Sequence, residues 1–242
     1  MELAEVLLIF LFAFCATFVQ RVTGFGFGIL FMTVIPYIMP SYGEATALSG
    51  ALAMTSAFVT GFQYIRYVPW KKLVVIMLTF LLVSYFAVLM VKEVDSATMK
   101  HYLGGFLILI GLYFLFINGK FRMKPSIPVQ LGMGTVSGVM GGLFGIQGPP
   151  AVIYFISCTD SKEEYMAIAQ WYFVIGNAAM TVFRAKNGFF TQIVAEGWLI
   201  GIGAILLGLW LGGKVYHRLP MEKLRKTVYV FIVLSGVVAI FV

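Results

Sequence analysis

Two glycine-rich stretches hold the residues best placed to do chemistry. The first reads Gln20-Arg21-Val22-Thr23-Gly24-Phe25-Gly26-Phe27-Gly28. The second reads Gly138-Val139-Met140-Gly141-Gly142-Leu143-Phe144-Gly145-Ile146-Gln147-Gly148-Pro149-Pro150. Each interrupts sequence apolar enough to lie in a membrane. Such a break frees backbone N–H and C=O groups, which is tolerated only where protein or a water-filled cavity satisfies them. Freed N–H groups at a helix start favour negative charge. The chemistry expected is therefore the holding of a small anion.

Arg21 supplies a full positive charge at the first break, either as an anion contact on a cavity wall or as an interfacial arginine snorkelling at a helix end. Thr23, Gly24, Gly26 and Gly28 let the backbone approach a ligand closely, although glycines also serve close helix packing in membranes. In the second break, Gly145, Gly148 and Pro149 shape the turn and Gln147 adds a neutral donor and acceptor. Pro149 and Pro150 suit the first turn of a new helix. Gln170 and Asn177 are seven apart and share a helix face, where they line a cavity or tie helices together. Trp171 and Tyr172 beside them are expected to face lipid. Glu196, one turn into an apolar segment, is a candidate coupling group. Glu44 is read as a helix cap.

Nothing suggests an enzyme. There is no Ser/His/Asp set, no HExxH, no paired intramembrane aspartate and no P-loop. The GxGxG run lacks the preceding strand that a nucleotide site needs. Cys15 and Cys158 lie in apolar runs and form neither a disulfide framework nor a metal spacing. No cofactor or metal is expected.

The elements that must position these residues are helices in lipid. The chain has 242 residues, 61% hydrophobic and 11% charged, with a mean hydropathy of +0.96. A soluble domain carries about 25% charge. Ten apolar segments can be drawn, at 3–20, 24–40, 45–65, 72–91, 97–118, 127–144, 149–158, 165–183, 190–214 and 224–242. The second, sixth and seventh are short for a crossing, so the paired segments around each break are read as broken or re-entrant, with six to ten true crossings. The acidic N-terminus is unlike a signal peptide, so the first segment is expected to stay as a helix. The net charge of +7 sits between apolar runs and reflects topology, with lipid and not nucleic acid as the partner.

Residues 22–38 align with 139–155 at six of 17 positions, including Phe27-Gly28-Ile29 with Phe144-Gly145-Ile146. Each break is followed by a polar turn and three further apolar segments. The chain therefore reads as repeats at 1–118 and 125–242, joined by a basic cytoplasmic linker at 119–124. An odd number of crossings per repeat inverts the second against the first. Under that inversion 12 Lys and Arg side chains fall inside and four outside, the latter Lys92, Lys100, Arg184 and Lys186. Both termini are then outside. The fold class is an all-α membrane bundle of two inverted-topology repeats with broken helices at their interface.

Thr23-Gly24-Phe25-Gly26-Phe27-Gly28, followed by an apolar run to Pro36, resembles the first-repeat motif of the sulfite exporter TauE/SafE family. Gly141-Gly142-Leu143-Phe144-Gly145-Ile146-Gln147-Gly148-Pro149-Pro150 resembles its second. The resemblance implies a multi-pass carrier of the bacterial inner membrane with inverted repeats. It also implies a small anionic cargo such as sulfite, sulfoacetate or another organosulfonate. Many members have a third glycine where this chain has Gln147, which leaves the cargo open. The expected function is secondary transport of a small anion by alternating access, driven by a proton or sodium gradient or by the anion gradient itself. A passive anion channel and a non-transporting scaffold subunit are the alternatives. A homodimer is compatible with the sequence.

Overall fold

The computed structural model describes residues 1–116, 126–215, 233 and 237. The basic linker at 119–124 and nearly all of the tenth apolar segment lie outside the described residues. The described residues form nine α-helices in order: α1 (Leu3–Thr23), α2 (Phe27–Phe31), α3 (Tyr42–Gln63), α4 (Trp70–Glu93), α5 (Ser96–Phe116), α6 (Ile127–Phe144), α7 (Gly148–Cys158), α8 (Lys162–Lys186) and α9 (Gln192–Val215). Among the described residues no strand occurs. Among those residues six helices are long and apolar enough to cross a membrane: α1, α3, α4, α6, α8 and α9. At 1.5 Å per residue, α4 reaches about 36 Å.

Local chemistry sets the boundaries. Glycines with positive φ end both helices that enter a break, Gly24 after α1 and Gly145 after α6. That left-handed cap costs a residue with a Cβ far more than it costs glycine. The segment expected at 24–40 is not one helix. It is the five-residue α2 followed by a 3₁₀ turn at Ile35–Tyr37. Pro36 contributes no N–H there, and the Thr33 hydroxyl donates back to the Leu30 carbonyl, 2.7 Å. α3 and α8 start alike. Ser41 Oγ accepts from the Glu44 N–H, 3.2 Å, and Ser161 Oγ accepts from the Glu164 N–H, 3.1 Å. The cap of α3 is thus Ser41, with Glu44 supporting it in the first turn. Before α5, Asp95 accepts from the Thr98 hydroxyl and backbone N–H. These bonds hold its carboxyl below the usual range.

Glycine rows bring helices together. Gly134, Gly138 and Gly142 of α6 face the Ile76, Phe80 and Ser84 carbonyls of α4, where added Cβ atoms would lie 2.8, 3.1 and 2.9 Å away. Gly208 and Gly212 of α9 face the Phe14 and Phe18 carbonyls of α1 in the same way, at 2.9 and 3.3 Å. Without water between helices, such close packing drives association. The partners form a pattern: α1 packs on α9, α4 on α6, and α3 on α8. The first long helix of each half thus meets the fourth segment of the other half, and the third segments meet each other. At one end of the bundle, Lys72 at the start of α4 joins Glu164 of α8, 2.8 Å. At the other, Thr191 before α9 donates to Glu44 of α3, 2.7 Å, and the Tyr42 N–H donates to Ser96, 3.2 Å.

Arg184 departs from the expectation of a loop charge. α8 continues to Lys186, one turn beyond the anticipated end. That extra turn swings Arg184 into the bundle, where it is 1% exposed. Tyr172 also departs from a lipid-facing position. It is fully buried, because its hydroxyl pairs with Ser137, 2.6 Å, and its ring packs on Phe80 and Phe155. Trp171 is half-buried, donating to the Gly61 carbonyl, 3.1 Å.

Candidate functional site

The two breaks touch. A Cβ at Gly28 would fall inside contact distance of the Gly145 carbonyl oxygen, and the next nearest atoms belong to the backbone of Gly145 and Ile146. Beside this contact lies a cavity of about 30 Å³. One ordered water needs about 10–15 Å³ by the same measure. Break one contributes Gly26 and Gly28 to the wall, break two contributes Gly145, Gln147 and Gly148, and α8 contributes Phe173 and Asn177. Gln20 of α1, Ala53 of α3 and the apolar Phe27, Ile29 and Ile146 complete it.

The walls are mostly apolar, carry no charge, and place the amides of Gln20, Gln147 and Asn177 among them. Gln147 is 4% exposed, and neither atom of its amide has a partner among the described residues. A buried amide left in this state costs stability, so it marks a place where a ligand or ordered water completes the bonding. Gln20 belongs to a short relay whose direction is fixed by its end. The Gly24 carbonyl can only accept, so Gln170 Nε2 donates to it, 2.7 Å. Gln170 Oε1 then accepts from Gln20 Nε2, 2.9 Å. Gln20 Oε1 is left buried with no partner among the described residues.

Other freed groups are satisfied within the protein. Thr23 Oγ1 donates to the Val19 and Phe25 carbonyls, at 2.9 and 2.7 Å, and Tyr165 donates to the Thr23 carbonyl, 3.2 Å. Ser137 donates to the Gln147 carbonyl. Arg184 caps the end of α6, with Nη2 donating to the Gly141 carbonyl, 2.8 Å, and Nη1 donating to the Thr46 carbonyl of α3, 2.9 Å. At the far end of α7, Lys72 donates to the Cys158 carbonyl, 2.7 Å. α7 therefore hangs between the break and a charged anchor at the bundle end.

Of the residues singled out in the sequence, Gly26, Gly28, Gly145, Gln147, Gly148 and Asn177 line the cavity. Thr23 and Gly24 build the turn behind it, Pro149 is buried in the first turn of α7, and Gln170 stands one hydrogen bond back through Gln20. Arg21 turns away. Its Nη2 donates to Gln63, 2.8 Å, and its stem packs on Gly212 of α9. Glu196 is exposed on α9 and accepts from Gln192, 2.9 Å. α2 has five residues, too few aligned peptides for the full terminal field expected of a helix at 24–40. Gln20 and Arg184 were missed. The heptad step from Gln170 to Asn177 lands next on Arg184, a signal that was available in the sequence.

The profile of the family described as sulfite exporter TauE/SafE matches residues 9–239. The chain belongs to that family. Its members are transporters and not enzymes, and with six apolar helices of spanning length the protein is a multi-pass membrane protein. It is similar to a "Probable sulfite/organosulfonate exporter TauE" of Cupriavidus necator, 25% identical over 208 residues. The alignment covers 82% of this chain and 79% of the relative. No solved structure matches the chain.

Proposed function

We propose that this family member is a secondary transporter that exports a sulfur oxyanion, sulfite or the sulfonate head of an organic molecule, from a site between its two breaks. The observation that carries the reading is the meeting of the breaks at a buried, uncharged cavity beside the unpartnered amide of Gln147. Neutral donors and backbone N–H groups can replace the hydration of a small anion without adding a mobile countercharge. The cavity suits the oxyanion head, and a longer organic tail needs the site open to one side. The name of the Cupriavidus relative points to the same cargo class.

Alternating access follows from the halves rocking about this site. Support comes from the exchanged packing of α1 on α9 and α4 on α6, the pattern that a two-fold relation between inverted halves produces. The start of α4, with Lys71 and Lys72, meets the start of α8 at one end of the bundle; assigning that end to the cytoplasm by the positive-inside rule puts both termini outside in a bacterial inner membrane. An inside-negative potential favours anion exit by about 2.3 kcal/mol per charge at 100 mV, so export needs little coupling to protons or sodium.

The test is counterflow of radiolabelled sulfite in proteoliposomes. Saturable uptake against trapped unlabelled sulfite is expected, with competition by methanesulfonate. Folded protein that moves neither sulfite nor any sulfonate ends the proposal. A non-saturating, ohmic current replaces the carrier with a channel.

A further inference from the structure

The polar stripe on α8 serves the two breaks with different chemistry. At break one, the neutral amide of Gln170 caps the Gly24 carbonyl. At break two, the guanidinium of Arg184 caps the Gly141 carbonyl and bridges to Thr46. Both side chains are buried, at 0% and 1% exposed. Capping a carbonyl takes a donor, and Gln170 shows that a neutral one suffices in this bundle.

The matched starts of α3 and α8, Ser41 with Glu44 and Ser161 with Glu164, set the register between those helices. At that register Gly50 of α3 stands where α8 has Gln170. Gly50 has no side chain with which to cap break two. Instead it leaves room for Arg184 to reach in, and a Cβ there would sit 2.9 Å from Nη1. The neutral cap of one half is thus replaced by a cation in the other.

Among the described residues no acid pairs with that cation. The ion pair among the described residues is Lys72–Glu164, and Glu44 accepts from Ser41 and Thr191 instead. The end of α6 returns about half a negative charge. The remainder lies in an apolar bundle, where uncompensated charge is costly. The cavity is next door. Asn177 Oδ1, on the cavity-lining residue, lies 3.7 Å from the same Gly50 Cβ position that Arg184 approaches.

We infer that Arg184 is the fixed positive charge that makes the cavity an anion site, acting from behind the cavity-lining Asn177 without touching the ligand. The inference rests on the transporter reading and adds a rule to it: the site ranks ligands by their charge. It assigns the positioning role to Arg184 instead of Arg21.

The experiment compares three sulfur ligands of similar head: sulfite at mildly alkaline pH, where it is largely doubly charged; methanesulfonate, singly charged; and dimethyl sulfone, neutral. Wild-type protein in detergent is expected to be stabilised against heat in that order. Arg184→Gln keeps an amide able to cap, as Gln170 does, and removes the charge. At an effective dielectric of about 20, a fixed charge in the layer behind the cavity wall changes affinity by on the order of tenfold or more per ligand charge. Arg184→Gln should therefore weaken sulfite by about tenfold more than methanesulfonate, and Arg184→Lys should keep the preference for sulfite. If both anions weaken by the same factor in Arg184→Gln, the residue is only a cap and the inference falls. If that variant does not fold, the wild-type series decides, and dimethyl sulfone stabilising as well as methanesulfonate overturns it. A wild type that ranks the ligands by charge yet moves none of them sinks the transporter reading alone.

Discussion

Replacing Gly28 with alanine tests whether the two breaks meet as described. The new methyl group would overlap the Gly145 carbonyl oxygen, with the Gly145 carbonyl carbon 3.4 Å and Ile146 Cα 3.7 Å away. All three are backbone atoms. They are held by the bonds that end α6, Gly145 N–H to the Gly141 carbonyl, 3.0 Å, and Ile146 N–H to the Met140 carbonyl, 3.3 Å. No side chain can swing aside, so restoring ordinary contact requires the breaks to part by about 1 Å. Overpacking of this kind costs about 1–3 kcal/mol, while alanine in a helix returns at most about 1 kcal/mol. The clash wins, and the variant is destabilised by about 1–2 kcal/mol. Displacing a binding group by about 1 Å can also cost a hundredfold in turnover, so sulfite counterflow should fall steeply. Gly132→Ala is the matched control. A Cβ there meets nothing within 4 Å on α6, and stability should rise by about 0.5–1 kcal/mol. The assay is thermal unfolding in detergent alongside counterflow. Gly28→Ala melting at or above wild type with undiminished flux would refute the close meeting of the breaks.

Three further outcomes follow from the same geometry. Gln147→Leu removes two buried polar atoms that have no partner, so stability should hold or rise by about 1 kcal/mol while the sulfite-induced thermal shift disappears; a surviving shift would place the ligand elsewhere. Gln170→Ala strips the Gly24 carbonyl and Gln20 of their shared partner and should cost about 2–3 kcal/mol in unfolding free energy; a loss under about 0.5 kcal/mol would mean that water takes over the relay. Lys72→Met breaks a partly exposed pair with Glu164 and should cost under about 1 kcal/mol with little change in flux; a large loss of flux would show that the anchored end of α7 takes part in transport.

What was legible in the sequence was what lipid imposes on composition. Apolar runs gave the long helices, and glycine punctuation gave the left-handed caps at Gly24 and Gly145. The proline pair gave the start of α7, and both breaks supply walls to one cavity. What was not legible depended on rotation about helix axes. A charge at a helix end can reach outward or be carried inward by one more turn, and composition does not distinguish the two. Arg21, open between a cavity wall and a helix-end interface, packs against α9 beside Gln63, whereas Arg184, expected near a loop, is buried where it bridges α3 and α6. Tyr172 failed for the same reason, since its burial depends on finding Ser137 across the bundle. The split of residues 24–40 hid in plain view, because a five-residue helix and a 3₁₀ turn are as apolar as a continuous helix.

The stripe of Gln170, Asn177 and Arg184 makes α8 a measuring rod. Its two ends engage different breaks, and its middle borders the space between them. Inserting or deleting one residue between 170 and 184 would turn one end by about 100° and shift it by about 1.5 Å relative to the other. No loop within that stretch could absorb the change, so one break or the other would lose its cap. Across relatives of this protein, the loops that join the helices are free to vary in length. The spacing of fourteen residues along α8 should not vary, even where the residues at its ends are exchanged.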